Sequence, residues 1–237
     1  GILVGTILSI FLEKESPMTN KKLIELTGGL SRPSKMPCYS FNLPASTCKR
    51  GAVLAKIQGS VCSKCYAMNG NYRFPNVQNA LWRRYDLLMA DEPNRYENWT
   101  NNMTELIYRN EGSGYFRWHD SGDLQCHVHL DAICNVARNL PNIQFWLPTR
   151  ETGFVDTYIE LINRFVYKKI PSNLCIRISV DAIGKATKPH PLFKSLPTSS
   201  VGSNNGWQCN AIQHQNKCGA CRACWQSKIK NVDYALH

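Results

Sequence analysis

GYFRWHDSGD, residues 114–123, runs from an aromatic, apolar stretch into a polar cluster, and the same texture returns in NIQFWLPTRE (142–151) and NLCIRISVDA (173–182). Each reads as a buried strand that ends in functional groups, because a strand covered on both faces shows a near-continuous apolar run. The starts at 114, 142 and 173 lie 28 and 31 residues apart. That is the length of a βαβ unit, so the spacing predicts parallel strands joined by right-handed crossovers.

Helical periodicity fills the gaps. Phe154, Val155, Tyr158, Ile159, Ile162, Phe165 and Val166 form one apolar stripe, and Leu124, Val128, Ile133, Val136 and Leu140 form a less regular one. Two further helices are predicted, over 76–90 with Val77, Leu81, Tyr85 and Leu88 on one face, and over 94–109 with Tyr96, Trp99, Met103 and Leu106. A full eight-stranded barrel takes about 250 residues, and cysteine-bearing loops occupy roughly sixty of this chain. The expected fold is therefore α/β, a partial or irregular TIM-like (β/α) barrel with cysteine-bearing loops at both ends. It is read as one domain over 1–237: an N-terminal segment (1–75) with a first cysteine block, a βα-repeat core (76–187) and a C-terminal loop (188–237) with further cysteines. Residues 188–206, rich in Pro, Ser and Gly, read as a long loop.

The chain has 237 residues, 43% of them apolar, enough for a real core. The apolar run in residues 1–14 is too short to span a bilayer and has no basic region before it, so it reads as a strand or as an end foreign to the chain; no membrane association is expected. The formal charge of +11 invites nucleic acid as a partner. An oxidised iron–sulfur cluster on four thiolates, at about −2, would offset part of that excess.

Eleven cysteines, clustered and odd in number, point to metal-bound thiols in a reducing compartment rather than to a disulfide framework. Cys218, Cys221 and Cys224 form C-x2-C-x2-C, with Cys209 upstream. Zinc sites usually pair two C-x2-C knuckles across a longer spacer, whereas the triple repeat is the pattern of a [4Fe–4S] cluster. Cys48, Cys62 and Cys65 make a second set, which Cys38 could complete. Left at three, the set leaves one iron free for a substrate. Cys126, Cys134 and Cys175 lie in helix and strand patterns and read as core. His127 and His129, two apart on a helix, face different ways and share no metal.

The polar strand ends, His119, Asp120, Ser121 and Asp123, then Thr149, Arg150 and Glu151, then Ser179 and Asp181, would converge at the carboxyl face of a parallel barrel, where such folds put active sites. Asp120, Ser121, Asp123 and Arg150 are the candidate catalytic residues, with Arg150 suited to an anionic group. The competing assignment makes Ser121 or Asp123 a helix cap and pairs Arg150 with Glu151 or Asp181.

YSFNLPASTC (39–48), CSKCYA (62–67), HDSGD (119–123), TRE (149–151), SVD (179–181) and CGACRACW (218–225) resemble, in that order, the motifs of the phage gene-product-88-like proteins. The resemblance implies a virus-encoded iron–sulfur protein of the infected bacterial cytoplasm, with a barrel related to radical S-adenosylmethionine enzymes. Cys48, Cys62, Cys65, Cys209, Cys218, Cys221 and Cys224 fall on the pattern and Cys38 does not. Cys48-x13-Cys62-x2-Cys65 departs from the C-x3-C-x2-C of radical enzymes. The expected function is thus [4Fe–4S] binding, one cluster or two, with redox or radical-type activity on an unknown small-molecule or macromolecular substrate. S-adenosylmethionine is a further candidate cofactor, and a redox partner is implied. The alternative is a basic nucleic-acid-binding module in which zinc staples loops and Trp82, Tyr85, Trp207 and Trp225 stack on bases.

Overall fold

The computed structural model describes residues 18–186 and 194–236; the apolar run at 1–14 lies outside them. Seven strands form one sheet: β1 (Ser40–Phe41), β2 (Tyr115–Trp118), β3 (Gln144–Thr149), β4 (Leu174–Ser179), β5 (Thr198–Val201), β6 (Trp207–Gln208) and β7 (Asn231–Tyr234). The order is β1-β2-β3-β4-β5-β7-β6 and every pairing is parallel. The sheet does not close: β1 and β6 stand at its two edges. The fold is α/β with an open parallel sheet, and the barrel expectation holds only to that extent.

Six α-helices accompany the sheet among the described residues: α1 (Asn20–Thr27), α2 (Lys49–Leu54), α3 (Pro75–Met89), α4 (Arg95–Asn110), α5 (His127–Asn139) and α6 (Thr152–Asn163). From β1 to β5 the strand order advances in one direction. Right-handed crossovers then put successive helices on one face, and α4, α5 and α6 pack side by side. Phe116, Phe145 and Leu174 are in register and point toward those helices. With Leu147, Ile176 and Ile178 they meet Met103, Ile107, Ile133, Val155 and Tyr158 in the main core. Helix α6 ends earlier than its apolar stripe suggests. Phe165 takes a left-handed φ of 60° and is exposed, so the stripe's last two members belong to the turn after the helix.

Side chains alternate across a strand, so Arg117, Trp146 and Cys175, also in register, point to the other face, as does Arg177. Among the described residues no layer of α-helices covers this face. The segment around Trp225 does: its indole N–H donates to the Phe116 carbonyl at 2.9 Å, and its ring lies 5.2 Å from Trp146 and 5.5 Å from Tyr115. The C-terminal region read as loop therefore contains three strands and the cover of the sheet's second face. Its strands escape notice because they are short and, in TSSV, half serine.

Candidate functional site

Each polar strand end is held by bonds within the carboxyl edge. Asp120 accepts from Ser40 Oγ at 2.9 Å, Asn42 Nδ2 at 3.1 Å and the Tyr72 hydroxyl at 2.9 Å, and its carbonyl accepts from the Tyr66 hydroxyl. Ser121 donates from Oγ to the Leu43 carbonyl at 2.7 Å. Gly122 follows with φ +74° and lies so close to β1's exit that a Cβ there would stand 2.6 Å from Leu43 Cβ, which is why glycine occupies the turn. Asp123 accepts from the Leu124 amide at 2.8 Å, Thr149 Oγ1 at 2.6 Å and the Arg150 amide at 2.9 Å. Burial pushes its carboxyl up to about 6 despite those three donors.

Neither Ser121 nor Asp123 caps a helix. The Cys126 side chain caps α5, so Cys126 is a cap rather than a core residue. Arg150 pairs with neither predicted carboxylate: its Nε donates to the Val180 carbonyl at 2.9 Å. Asp181 is bound instead by Arg50, and the Arg50 amide donates to Glu151 at 2.8 Å. Asp123 is therefore a staple between β2 and β3, while Arg50, not singled out in the sequence, ties the first cysteine block to β3 and β4.

That block stands over the same edge. Cys48 closes a short 3-10 turn (Ala45–Thr47) and starts α2, and Cys62 opens another (Cys62–Lys64). The Val61 amide donates to the Asp181 carbonyl at 2.8 Å and that of Ile183 to Gly59 at 3.0 Å, docking the loop on the end of β4. The Cys48 thiol is pushed up by burial, then by the negative charges of Asp123, Cys65, Glu151 and Cys62. Cys62 is pushed up by burial, against the pull of Arg150. Gly51 marks the space between them: a Cβ there would meet Cys48 Cβ at 2.8 Å and Cys62 Sγ at 3.8 Å. Cys48, Cys62 and Cys65 thus share one small region with Asp123 and Arg150.

The second set gathers on the sheet's other face and at the ends of β6 and β7. Cys218 is raised by burial and feels Cys209, Arg117, Cys221 and Arg222. Burial pushes Cys224 up to about 12, against its hydrogen-bond contact with Tyr234 Oη at 3.2 Å. Cys38 does not complete the first set. It packs with Trp146 and Trp225, and burial, then Glu111, push it up to about 12, with Cys218 among its charged neighbours. Cys134 and Cys175 are buried, as expected for core residues.

Two arginines absent from the sequence-based list dominate this face. Arg177 is fully buried and donates to five backbone carbonyls, those of Thr198 (2.8 Å), Ile229 (3.0 Å), Gln226 (3.1 Å), Ala223 (3.3 Å) and Cys224 (3.5 Å), and to Cys175 Sγ. Arg117 lies 4.4 Å from the centre of the Trp146 ring and reaches Met36 Sδ and the Tyr66 hydroxyl, between the two cysteine sets. An alternating strand with a single Arg in an apolar run was the available signal for both. Among the described residues, no three of His, Cys, Asp or Glu are drawn together as ligands of a single metal ion.

Neither the comparison with curated proteins nor that with solved structures returned a match. The family described as gene product 88 matches residues 11–227, a span that takes in both cysteine sets, the Asp120–Asp123 turn and Arg150. With a match of that extent, the chain belongs to the gene product 88 family.

Proposed function

We propose that this phage-type protein is an iron–sulfur protein, with Cys48, Cys62 and Cys65 holding one [4Fe–4S] cluster at the carboxyl edge of the sheet and Cys209, Cys218, Cys221 and Cys224 holding a second. The observation that carries the reading is the sorting of seven cysteines, scattered along the chain, into two thiol neighbourhoods that coincide with the two sequence sets. The donor chemistry fits. Buried thiols crowded by each other resist ionisation, and a cationic iron core reverses that penalty, since coordinated thiols are deprotonated outright. Around the second set the buried cation Arg177 bonds only carbonyls and a thiol, with no carboxylate among its partners; an anionic cluster would supply the missing counter-charge.

A cluster held by three thiolates supplies one-electron chemistry and an iron able to take a substrate or S-adenosylmethionine. The chain's own contribution is positional. Asp123 fixes the ends of β2 and β3, Arg50 fixes the cysteine loop against β4, and Arg150 brings a cation beside Cys62. A four-thiolate cluster with no iron free suits electron transfer or a structural role. Zinc is the weaker reading: four thiolates on one zinc stand about 3.8 Å apart for bonds of about 2.3 Å, and the described residues show no such gathering. Reduced thiols suit the host cytoplasm.

Protein purified without oxygen should be brown and carry about four irons per cluster, two clusters in all. Cys62→Ala should lower iron by about half and leave the second set loaded. Stoichiometric zinc with no iron overturns the reading. Iron that survives intact in Cys62→Ala overturns the first site alone.

A further inference from the structure

The charges of this chain are segregated. Residues 26–85 hold nine Lys and Arg and no Asp or Glu, and residues 182–232 hold seven and none. These two segments, which carry both cysteine sets, thus contain sixteen of the 28 basic residues and none of the 17 acidic ones. The remainder of the chain is net acidic. The global charge of +11 therefore understates the field around the cysteine-bearing segments, which is concentrated rather than spread.

Within the first segment, the surface from α2 to the start of α3 is also unusually apolar for an exposed face. Val53, Ile57, Tyr66, Met68 and Phe74 are each more than half exposed. Lys49, Arg50, Lys56, Lys64 and Arg73 are interspersed among them and exposed as well. The elements bearing these residues touch in series: α2 meets the turns at Ala45–Thr47 and Cys62–Lys64, the turn at Ala45–Thr47 meets that at Tyr66–Met68, and the latter meets Gly70–Arg73, which packs on α3. The rings are held, not loose. Tyr66 buries its hydroxyl on the Asp120 carbonyl while its ring faces water, and Tyr72 packs against it at 5.8 Å with its own hydroxyl on Asp120. Beside them a pocket of ≈ 310 Å³ is lined by Ala45, Ser46, Ala67, Met68, Arg73 and Gln78.

From this surface we infer that the protein binds single-stranded nucleic acid across the face formed by residues 49–74. Cations follow the phosphates, pre-oriented exposed rings offer stacking platforms, and the pocket, at the small end of ligand-site volumes, admits one unstacked base. An acidic protein would answer the charge but leaves the exposed rings and the pocket without a use. A duplex keeps its bases stacked and gives Tyr66 and Phe74 nothing to stack on. The surface is made by the chain alone, so the inference stands separately from the iron–sulfur reading.

The test is fluorescence anisotropy on the full-length, anaerobically purified protein, with short labelled single-stranded DNA and RNA, the matching duplex and a polyglutamate peptide as probes. Four phosphate contacts predict a salt slope near −3, or about a fiftyfold loss of affinity between 50 and 200 mM salt. Lys56→Gln with Lys64→Gln should reduce the slope by about 1.4. Phe74→Leu, at an exposed position where folding is safe, should weaken binding about tenfold with the slope unchanged. Its iron content should match the parent, which separates loss of binding from loss of a cluster. Tighter binding of the duplex, equal binding of polyglutamate with no effect of Phe74→Leu, or no binding of the single strand would each overturn the inference.

Discussion

Gly122 and His129 show how single positions constrain this molecule. At Gly122 the chain turns with φ +74° and passes within contact of Leu43, so Gly122→Ala adds both backbone strain and a collision with β1's exit. The expected cost is about 2–4 kcal/mol in urea unfolding, whereas Gly112→Ala, where a Cβ meets nothing, should stay within about 0.5 kcal/mol. His129 is fully buried among Trp99, Tyr96 and His119, and burial lowers its proton affinity to about 3. The folded state therefore binds its proton less readily than the unfolded one, whose histidine titrates near 6.5. Stability from this group is complete above about pH 6.5 and declines as pH falls toward 3. Between pH 6.5 and 5 the loss is about 2 kcal/mol. His129→Leu should flatten that part of the pH dependence, as read from urea midpoints at the two pH values. The sequence singled out Asp123 correctly as a strand-end group, but not what it bonds, because Thr149 and the Arg150 amide reach it only once β2 and β3 are side by side.

Among the elements, the turn that carries Trp225 has the largest structural task, since it seats on a sheet face that no α-helix among the described residues covers. Arg177→Met would leave the carbonyls of Thr198, Ala223, Gln226 and Ile229 without their shared donor. The expected loss is about 3 kcal/mol. Hydrogen exchange should speed up over residues 223–231 while α4 and α5 keep their protection. Cys134→Ala, on the opposite face inside the main core, should not produce that pattern. Loading of the second cysteine set should act in the reverse sense, because metal binding to a site absent from the unfolded chain is also folding energy. If the set holds iron as proposed, removing it with a chelator should make the chain cleavable by trypsin first at the exposed Lys217 and Lys228. Helices α3 to α6 were legible to within a few residues because each carries an apolar stripe, and β2 to β4 because each lies in an aromatic or aliphatic run that ends in a polar cluster. Strands β1 and β6 span only two residues, and β5 (TSSV) and β7 (NVDY), though as long as β2, are mostly polar, so no apolar run marks them. The sequence leaves the place of Cys38 open for a related reason: its neighbour Cys218 lies at the far end of the chain, and only the packing of Met36, Trp146 and Trp225 brings the two together.

At the scale of the whole molecule, the strand order that climbs steadily from β1 to β5 leaves one face of the sheet to be closed by the chain's own C-terminal segment. Deleting residues 207–237 should therefore uncover Tyr115, Trp146 and the buried cation Arg177 together, and strip β5 of its β7 partner. The expected product binds a hydrophobic dye strongly and precipitates, whereas Gly112→Ala, where a Cβ meets nothing, should leave dye binding low. An open sheet also has two rims, and their dimensions matter for how copies of the protein treat one another. Each rim strand is only two residues long, and β1's outer side is already occupied by Ser31, which exchanges both backbone bonds with Ser40 at 2.8 Å. A neighbouring copy approaching in solution finds almost no free ladder to extend. The same brevity that hid these strands in the sequence thus guards a crowded cell against runaway fibre growth from an unclosed sheet.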